Sequence, residues 1–143
     1  METKLAQLMT RSLAEVFGQP DATLRKIATA ELYTEDCKIV EADDEYVGRR
    51  GVNTRAENVL GLVPGFALCP AGPAEVIGDV GFVRWRLGAP GAPPAVTGLD
   101  VALLHGGRIR TLYCFVDRES LGTFMDQLSD MTRGSSGFLA SAS

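Results

Sequence analysis

The run Val96-Thr97-Gly98-Leu99-Asp100-Val101-Ala102-Leu103-Leu104 constrains the fold more than any other stretch of the chain. It reads as a strand. Alternate positions place Val96, Gly98, Asp100, Ala102 and Leu104 on one face, and Thr97, Leu99, Val101 and Leu103 on the other. Neither face is polar, so the strand is expected to be buried on both sides. Whichever face Asp100 takes, its carboxylate meets apolar surroundings, where ionisation is costly without a partner or water. Two readings of Asp100 stand: a candidate acid or hydrogen-bond donor in a pocket, or a structural carboxylate satisfied by backbone N–H groups or an arginine.

This strand belongs to a series. Phe66–Cys69, Glu75–Ile77, Phe82–Leu87, Ala95–Leu104 and Arg108–Val116 all read as strands. Pro70-Ala71-Gly72-Pro73, Gly78, the stretch from Gly88 to Pro94, and Gly106-Gly107 punctuate them. Upstream, the periodicity is helical. A first helix carries Leu5, Leu8, Met9, Ser12, Leu13 and Val16 on one stripe and breaks at Gly18-Gln19-Pro20. Asp21 is a suitable N-cap for a second, with Leu24, Ile27, Ala28 and Leu32 as its apolar stripe. A strand Cys37–Glu41, a turn at Ala42-Asp43-Asp44 and a strand around Tyr46-Val47 form a hairpin. A third helix is expected from Val52 to Leu62, with Val52, Ala56, Val59, Leu60 and Val63 inward, ending at Pro64-Gly65. Helices first and a strand meander later predict an α+β domain with helices on one face of a curved sheet. The domain is expected over residues 1–131, its end a weak helix at Ser120–Met131, with 132–143 a flexible tail.

A length of 143 residues suits one domain with a real core. The net charge is −4 and no basic cluster exceeds Arg49-Arg50, which argues against a nucleic-acid partner. No apolar stretch reaches membrane-spanning length, and Met1-Glu2-Thr3-Lys4 does not begin a secretory signal, so a cytoplasmic protein is expected. Cys37, Cys69 and Cys114 are far apart, form no CxxC and have one histidine for company, a poor metal set. Reduced, mostly buried thiols are expected, with no metal.

The order of these elements and their punctuation resembles the NTF2-like superfamily, in its SnoaL-like and ketosteroid-isomerase-like branch. The matching stretches are Leu32 to Glu41, Tyr46 to Val52, Phe82 to Gly88, Thr97 to Ala102 and Gly107 to Ile109, in a likeness spanning roughly residues 3–118. The resemblance implies a cone, in which a curved, mostly antiparallel sheet wraps around three helices and an apolar pocket. It also implies a homodimer joined through the outer sheet face. In the isomerase branch, a carboxylate base ends the first strand, where Glu41 falls, and a protonated Asp on the penultimate strand donates to an oxyanion, where Asp100 falls. The phenols of that branch fall at Ser12 and near Ala56, so neither is present. In the polyketide-cyclase branch the Asp at the position of Asp100 is the main acid/base group. The limonene-epoxide-hydrolase branch uses an Asp–Arg–Asp set whose Arg position is Gly98 here, so only Arg84 or Arg86 could substitute.

Two phases are open for the strand around Trp85. Residue type places Trp85 and its neighbours inside, whereas the family alignment turns Phe82, Arg84 and Arg86 toward the pocket. On the last strand Leu112, Cys114 and Val116 are assigned to the pocket, and Tyr113 and Phe115 to a dimer surface. Asn53 and Arg55 are read as surface groups, His105 as a turn residue, and Tyr33 and Tyr46 as packed with their hydroxyls toward water. The leading expectation is a cofactor-independent acid/base isomerase, cyclase or hydrolase acting on a small hydrophobic, polyketide- or steroid-like molecule. Asp100 and Glu41 are its candidate catalytic residues, and Phe82, Arg84, Trp85, Leu112, Cys114 and Val116 its candidate substrate contacts. The alternative is a non-catalytic ligand-binding or dimerisation module.

Overall fold

The computed structural model describes residues 3–134. Helix α1, Lys4–Arg11, starts on Thr3, whose side chain accepts from the Ala6 N–H at 3.1 Å. It continues as a wider π-type turn, Ser12–Phe17, which brings Ser12, Leu13, Val16 and Phe17 inward together. Such a turn offers more residues to one side than an α-helical turn does. The expected stripe holds except at Leu5, which is exposed. Gly18 ends the element where a Cβ would stand 3.0 Å from the Leu13 carbonyl and 3.2 Å from that of Leu68.

Helix α2, Ala22–Leu32, is capped by Asp21, which accepts from Thr23 at 2.9 Å and Leu24 at 3.0 Å. Its expected stripe is corrected. Leu24 and Ile27 are 51% and 60% exposed, while Arg25 and Thr29 are buried beside Ala28 and Leu32. The cause is Arg25, whose guanidinium turns inward to donate to the carbonyls of Gln19 and Pro20 and to Asn53 Oδ1. Those partners rotate the helix by about one residue relative to its apolar pattern.

Strand β1, Tyr33–Val40, follows α2 without a loop and is longer than Cys37–Glu41. It forms the expected hairpin with β2, Glu45–Val47, and Gly48 at φ 73° turns that strand into α3, Gly48–Leu60. Helix α3 directs Val52, Arg55 and Ala56 into the interior. The remaining strands are β3 (Ala67–Pro70), β4 (Glu75–Ile77), β5 (Val80–Gly88), β6 (Val96–His105) and β7 (Arg108–Val116). They lie close to the expected positions because Gly and Pro mark each connection. The sheet order is β2-β1-β7-β6-β5-β3, with β4 also on β5. All pairs are antiparallel except β1 with β7.

Register fixes the faces. Asp100 lies opposite Val83 on β5 and Cys114 on β7, and Gly98 lies opposite Trp85 and Val116. These residues share the face that meets α1, the π turn and α3, together with Leu87, Ala102 and Leu112. The two phases open for β5 are thus decided for residue type: Val83, Trp85 and Leu87 are buried. Phe82 and Arg84 pair with Val101 and Leu99 on the opposite face, which corrects their assignment to the pocket side. Burial of an indole removes far more apolar area from water than burial of an arginine stem would.

The outer face departs from the expectation of burial on both sides. Leu103, Tyr113 and Phe115 are exposed, because among the described residues no element packs over them. Helix α4, Arg118–Gly134, extends beyond the expected Ser120–Met131 at both ends. Asp117 caps it by accepting from the Ser120 N–H, and the Ser120 hydroxyl in turn accepts from Thr97 N–H on β6. Phe124 is buried against Phe66, with ring centroids 6.1 Å apart, which pins the helix over one end of the sheet. Residues 132–134 thus belong to a helix, and the rest of the expected tail lies outside the described residues.

Candidate functional site

Asp100 is 2% exposed. Its neighbours on the inner face are Cys114 across the strand pair and Trp85, two registers along, whose indole lies against Gly98. A Cβ at position 98 would stand 2.1 Å from Trp85 Cζ2 and 2.3 Å from the Phe115 carbonyl, so only glycine leaves room for the ring. Asp100 Oδ1 makes no hydrogen bond to the protein. Burial pushes its carboxyl up to about 6, against a smaller downward pull from Arg55 and slight ones from Cys114 and Trp85.

Arg55 supplies that pull, and it corrects the reading of this residue as a surface group. It is 4% exposed and enters the core from α3. Its Nε donates to Glu41 Oε2 at 3.2 Å, its Nη2 to Cys114 Sγ at 2.9 Å, and its Cζ lies 4.7 Å from the Phe17 ring centroid. Nη1 makes no hydrogen bond to the protein. Burial disfavours its charge, but Cys114, Asp100 and Glu41 together outweigh that and hold the guanidinium protonated. The position was readable in one respect. Arg55 stands three residues after Val52 and four before Val59, on the helix's own inward stripe.

Glu41 comes immediately after β1, and its side chain is 28% exposed. Its backbone N–H donates to the Asp44 carbonyl at 2.8 Å, closing the hairpin turn, while its carboxylate reaches inward to Arg55. The Arg position of the epoxide-hydrolase pattern is empty of arginine at Gly98, and Arg84 and Arg86 do not fill it. An arginine from a different element, α3, stands among the carboxylates instead. Arg84 is exposed, and the guanidinium of Arg86 is engaged by the Ala92 carbonyl in the β5–β6 connection.

Tyr33 is also corrected. Its hydroxyl is buried rather than turned to water, and it shares a 2.5 Å hydrogen bond with Ser12 in the π turn. Burial raises this phenol far above its ordinary value, so it stays protonated. A phenol is therefore present beside position 12, delivered by β1. Leu112 is fully buried in the core, and Cys114 and Val116 lie nearer the surface.

A cleft of about 520 Å³ opens at this end of the sheet between Val40, Glu41, Cys114, Val116, Arg118 and Leu121, with Asp43 and Asp44 on its rim. Cys114 belongs both to this cleft and to the buried cluster. Asp100 stands behind it and does not line the cleft. Burial and the neighbouring carboxylates hold the Cys114 thiol well above its ordinary range, so it acts as a thiol and not as a nucleophile. Among the described residues, no three His, Cys, Asp or Glu side chains stand close enough to hold a metal ion, and no helix is long and apolar enough to cross a membrane.

No protein-family model and no curated protein matches the sequence. Solved structures do. A candidate isomerase of the SnoaL-like family from Agrobacterium tumefaciens superposes with a TM-score of 0.71 at 23% identity, covering 80% of this chain and 99% of its own. A candidate SnoaL-like polyketide cyclase from Jannaschia sp. CCS1 gives 0.67 at 17% identity, covering 85% and 91%. A de novo designed protein with a curved β-sheet gives 0.62 at 13% identity, covering 88% and 96%. A designed chain on the same backbone is a reminder that architecture alone carries no activity.

Proposed function

We propose, from the premise that this chain carries the NTF2-like fold of SnoaL-like and ketosteroid-isomerase-like proteins, that it is a cofactor-independent acid/base enzyme. Its substrate is a small hydrophobic molecule, polyketide- or steroid-like, and its reaction an isomerisation, cyclisation or hydrolysis. One observation carries this reading: Asp100 is buried with one carboxyl oxygen lacking a protein partner, and that burial pushes its carboxyl up to about 6. Near neutral pH such a carboxyl can both take and return a proton. Glu41 contributes through Arg55 rather than as a base of its own, because its carboxylate is engaged by the Arg55 guanidinium.

The test is catalysed exchange of solvent deuterium into the carbon positions next to the carbonyl of a panel of hydrophobic ketones. Acceleration by the wild type and its loss by roughly 10²- to 10⁴-fold in Asp100→Asn are expected from removal of an acid/base group. Exchange that persists in a folded Asp100→Asn protein removes the acid/base role. The position of Asp100 behind Cys114, outside the cleft, favours a second reading, a ligand-binding module without turnover. Under that reading ligands bind at the cleft and no ketone exchanges.

The outer sheet face is proposed to join two copies of the chain. Leu103, Tyr113 and Phe115 stand exposed there on two adjacent strands, an aromatic-containing apolar patch of the kind that subunit interfaces cover. Sedimentation equilibrium at micromolar concentration is expected to give a dimer, and Phe115→Glu a monomer. A wild-type monomer refutes it.

A further inference from the structure

We propose that Arg55 is a second catalytic residue, whose Nη1–H group holds the carbonyl oxygen of the substrate while Asp100 moves the proton on the adjacent carbon. The proposal rests on the acid/base reading of Asp100 and names the functional group that the site takes: a neutral ketone able to form an enolate.

The geometry begins with an immobilised guanidinium. Glu41 holds Nε, the Cys114 sulfur holds Nη2, and the Phe17 ring covers the face. One edge, Nη1, is left with no protein acceptor in a buried setting, where an unmade hydrogen bond costs most. Asp100 presents the complementary case, an acceptor oxygen without a donor. The two are linked by one residue, since Cys114 is both the strand partner of Asp100 and the hydrogen-bond partner of Arg55. Cys114 also lines the cleft, and Arg55 and Asp100 lie behind it, so a substrate reaches both groups past the Cys114 side chain. Ser12 and Ala56 carry no phenol, and the Tyr33 hydroxyl is engaged by Ser12. Arg55 is the buried cationic donor in this cluster, and an arginine stays charged throughout the physiological range.

The step balances without any further reactant. Asp100 as carboxylate takes the proton from the carbon beside the carbonyl. The C–H electron pair becomes the C=C bond, and the carbonyl π pair moves onto oxygen, where Nη1–H donates to it. Return of that proton from Asp100 to a different carbon of the conjugated system restores both the carbonyl and the carboxylate. Charge develops on the oxygen during the first transfer, so a fixed cationic donor there lowers the barrier more than it tightens ground-state binding. Glu41 is a positioning residue in this scheme. It orients Arg55 and offsets part of its charge.

The probe is 4-nitrophenolate, a planar oxyanion that mimics an enolate, compared with the neutral 4-nitrotoluene of similar shape. Binding is read by quenching of Trp85, the single tryptophan. Wild-type protein is expected to prefer the phenolate at least tenfold. Arg55→Gln should weaken phenolate binding by roughly 10- to 100-fold, the loss of one charge-assisted hydrogen bond, and leave 4-nitrotoluene unchanged. Glu41→Gln should tighten phenolate binding several-fold, an effect that a merely structural Glu41 would not produce. No preference in the wild type, or a preference intact in Arg55→Gln, overturns the proposal. Should Arg55→Gln fail to fold, Glu41→Gln decides alone, and unchanged or weaker phenolate binding counts against it. Deuterium exchange separates the two readings. If Asp100→Asn leaves exchange untouched, the acid/base reading fails. If Asp100→Asn abolishes exchange while Arg55→Gln alters neither exchange nor phenolate binding, only the role of Arg55 fails.

Discussion

Replacing Asp100 by asparagine is expected to make the protein more stable. The carboxyl sits at about 6 in the fold against an ordinary 3.8, and asparagine has its shape without its charge. A carboxyl raised in the native state holds its proton where the unfolded chain has already lost it. Stability therefore falls as pH rises between 3.8 and about 6, and the full cost stands above that window. At 1.36 kcal/mol per pH unit, the gap comes to about 3 kcal/mol, a figure that already contains the favourable pull of Arg55. For a chain of this length that corresponds to a rise of roughly 6–12 °C in Tm at pH 8, shrinking toward zero at pH 4. Calorimetric melts of both proteins across pH 4 to 8 provide the assay. The difference should open as pH rises, and activity should be lost at the same time, as happens where a strained site trades stability for chemistry. An Asn variant no more stable than wild type at pH 8, or one that keeps the wild-type slope between pH 4 and 6, refutes the claim that a buried, destabilised charge sits here.

Other outcomes rest on single contacts. Gly98→Ala puts a Cβ 2.1 Å from Trp85 Cζ2, so a loss of about 2 kcal/mol or more in chemical denaturation, with a shifted Trp85 emission, is expected; an unchanged spectrum and midpoint would contradict the packing. Tyr33→Phe strands the buried Ser12 hydroxyl at a cost of about 1–3 kcal/mol, and the double variant with Ser12→Ala should recover part of it. Purely additive losses would show that the two hydroxyls do not interact. Native protein at pH 8 should show one thiol that reacts rapidly with a thiol reagent, Cys69, because it is the least buried of the three, while Cys37 is buried and pushed up to about 11 and Cys114 is held higher still. Rapid reaction of all three with a thiol reagent would contradict that burial.

How legible this was depended on whether a feature was local. The strands of the second half were readable because each is bounded by residues that stop pairing, and Gly106-Gly107, both at positive φ, turn β6 directly into β7. The phase of β5 stayed open in the sequence, where the cost of exposing Trp85 pointed one way and the family alignment the other. The polar interior was not. Arg25 and Arg55 look like solvated helix residues because their partners lie elsewhere in the chain: Arg55 meets Glu41, fourteen residues away, and Cys114, fifty-nine away. A helical stripe records apolar burial alone, so a buried cation satisfied by distant groups breaks it without leaving a trace. Asp100 was the exception, since a charge within a doubly apolar strand announces itself.

The tie between Glu41 and Arg55 links the acidic hairpin turn to the buried charge cluster. Under the role proposed for Arg55, removing the Glu41 charge at the edge of that turn leaves the guanidinium less offset toward the interior. On that proposal, tuning of the site need not reshape the cavity, because a partly exposed carboxylate at its mouth sets how much of the buried charge is offset.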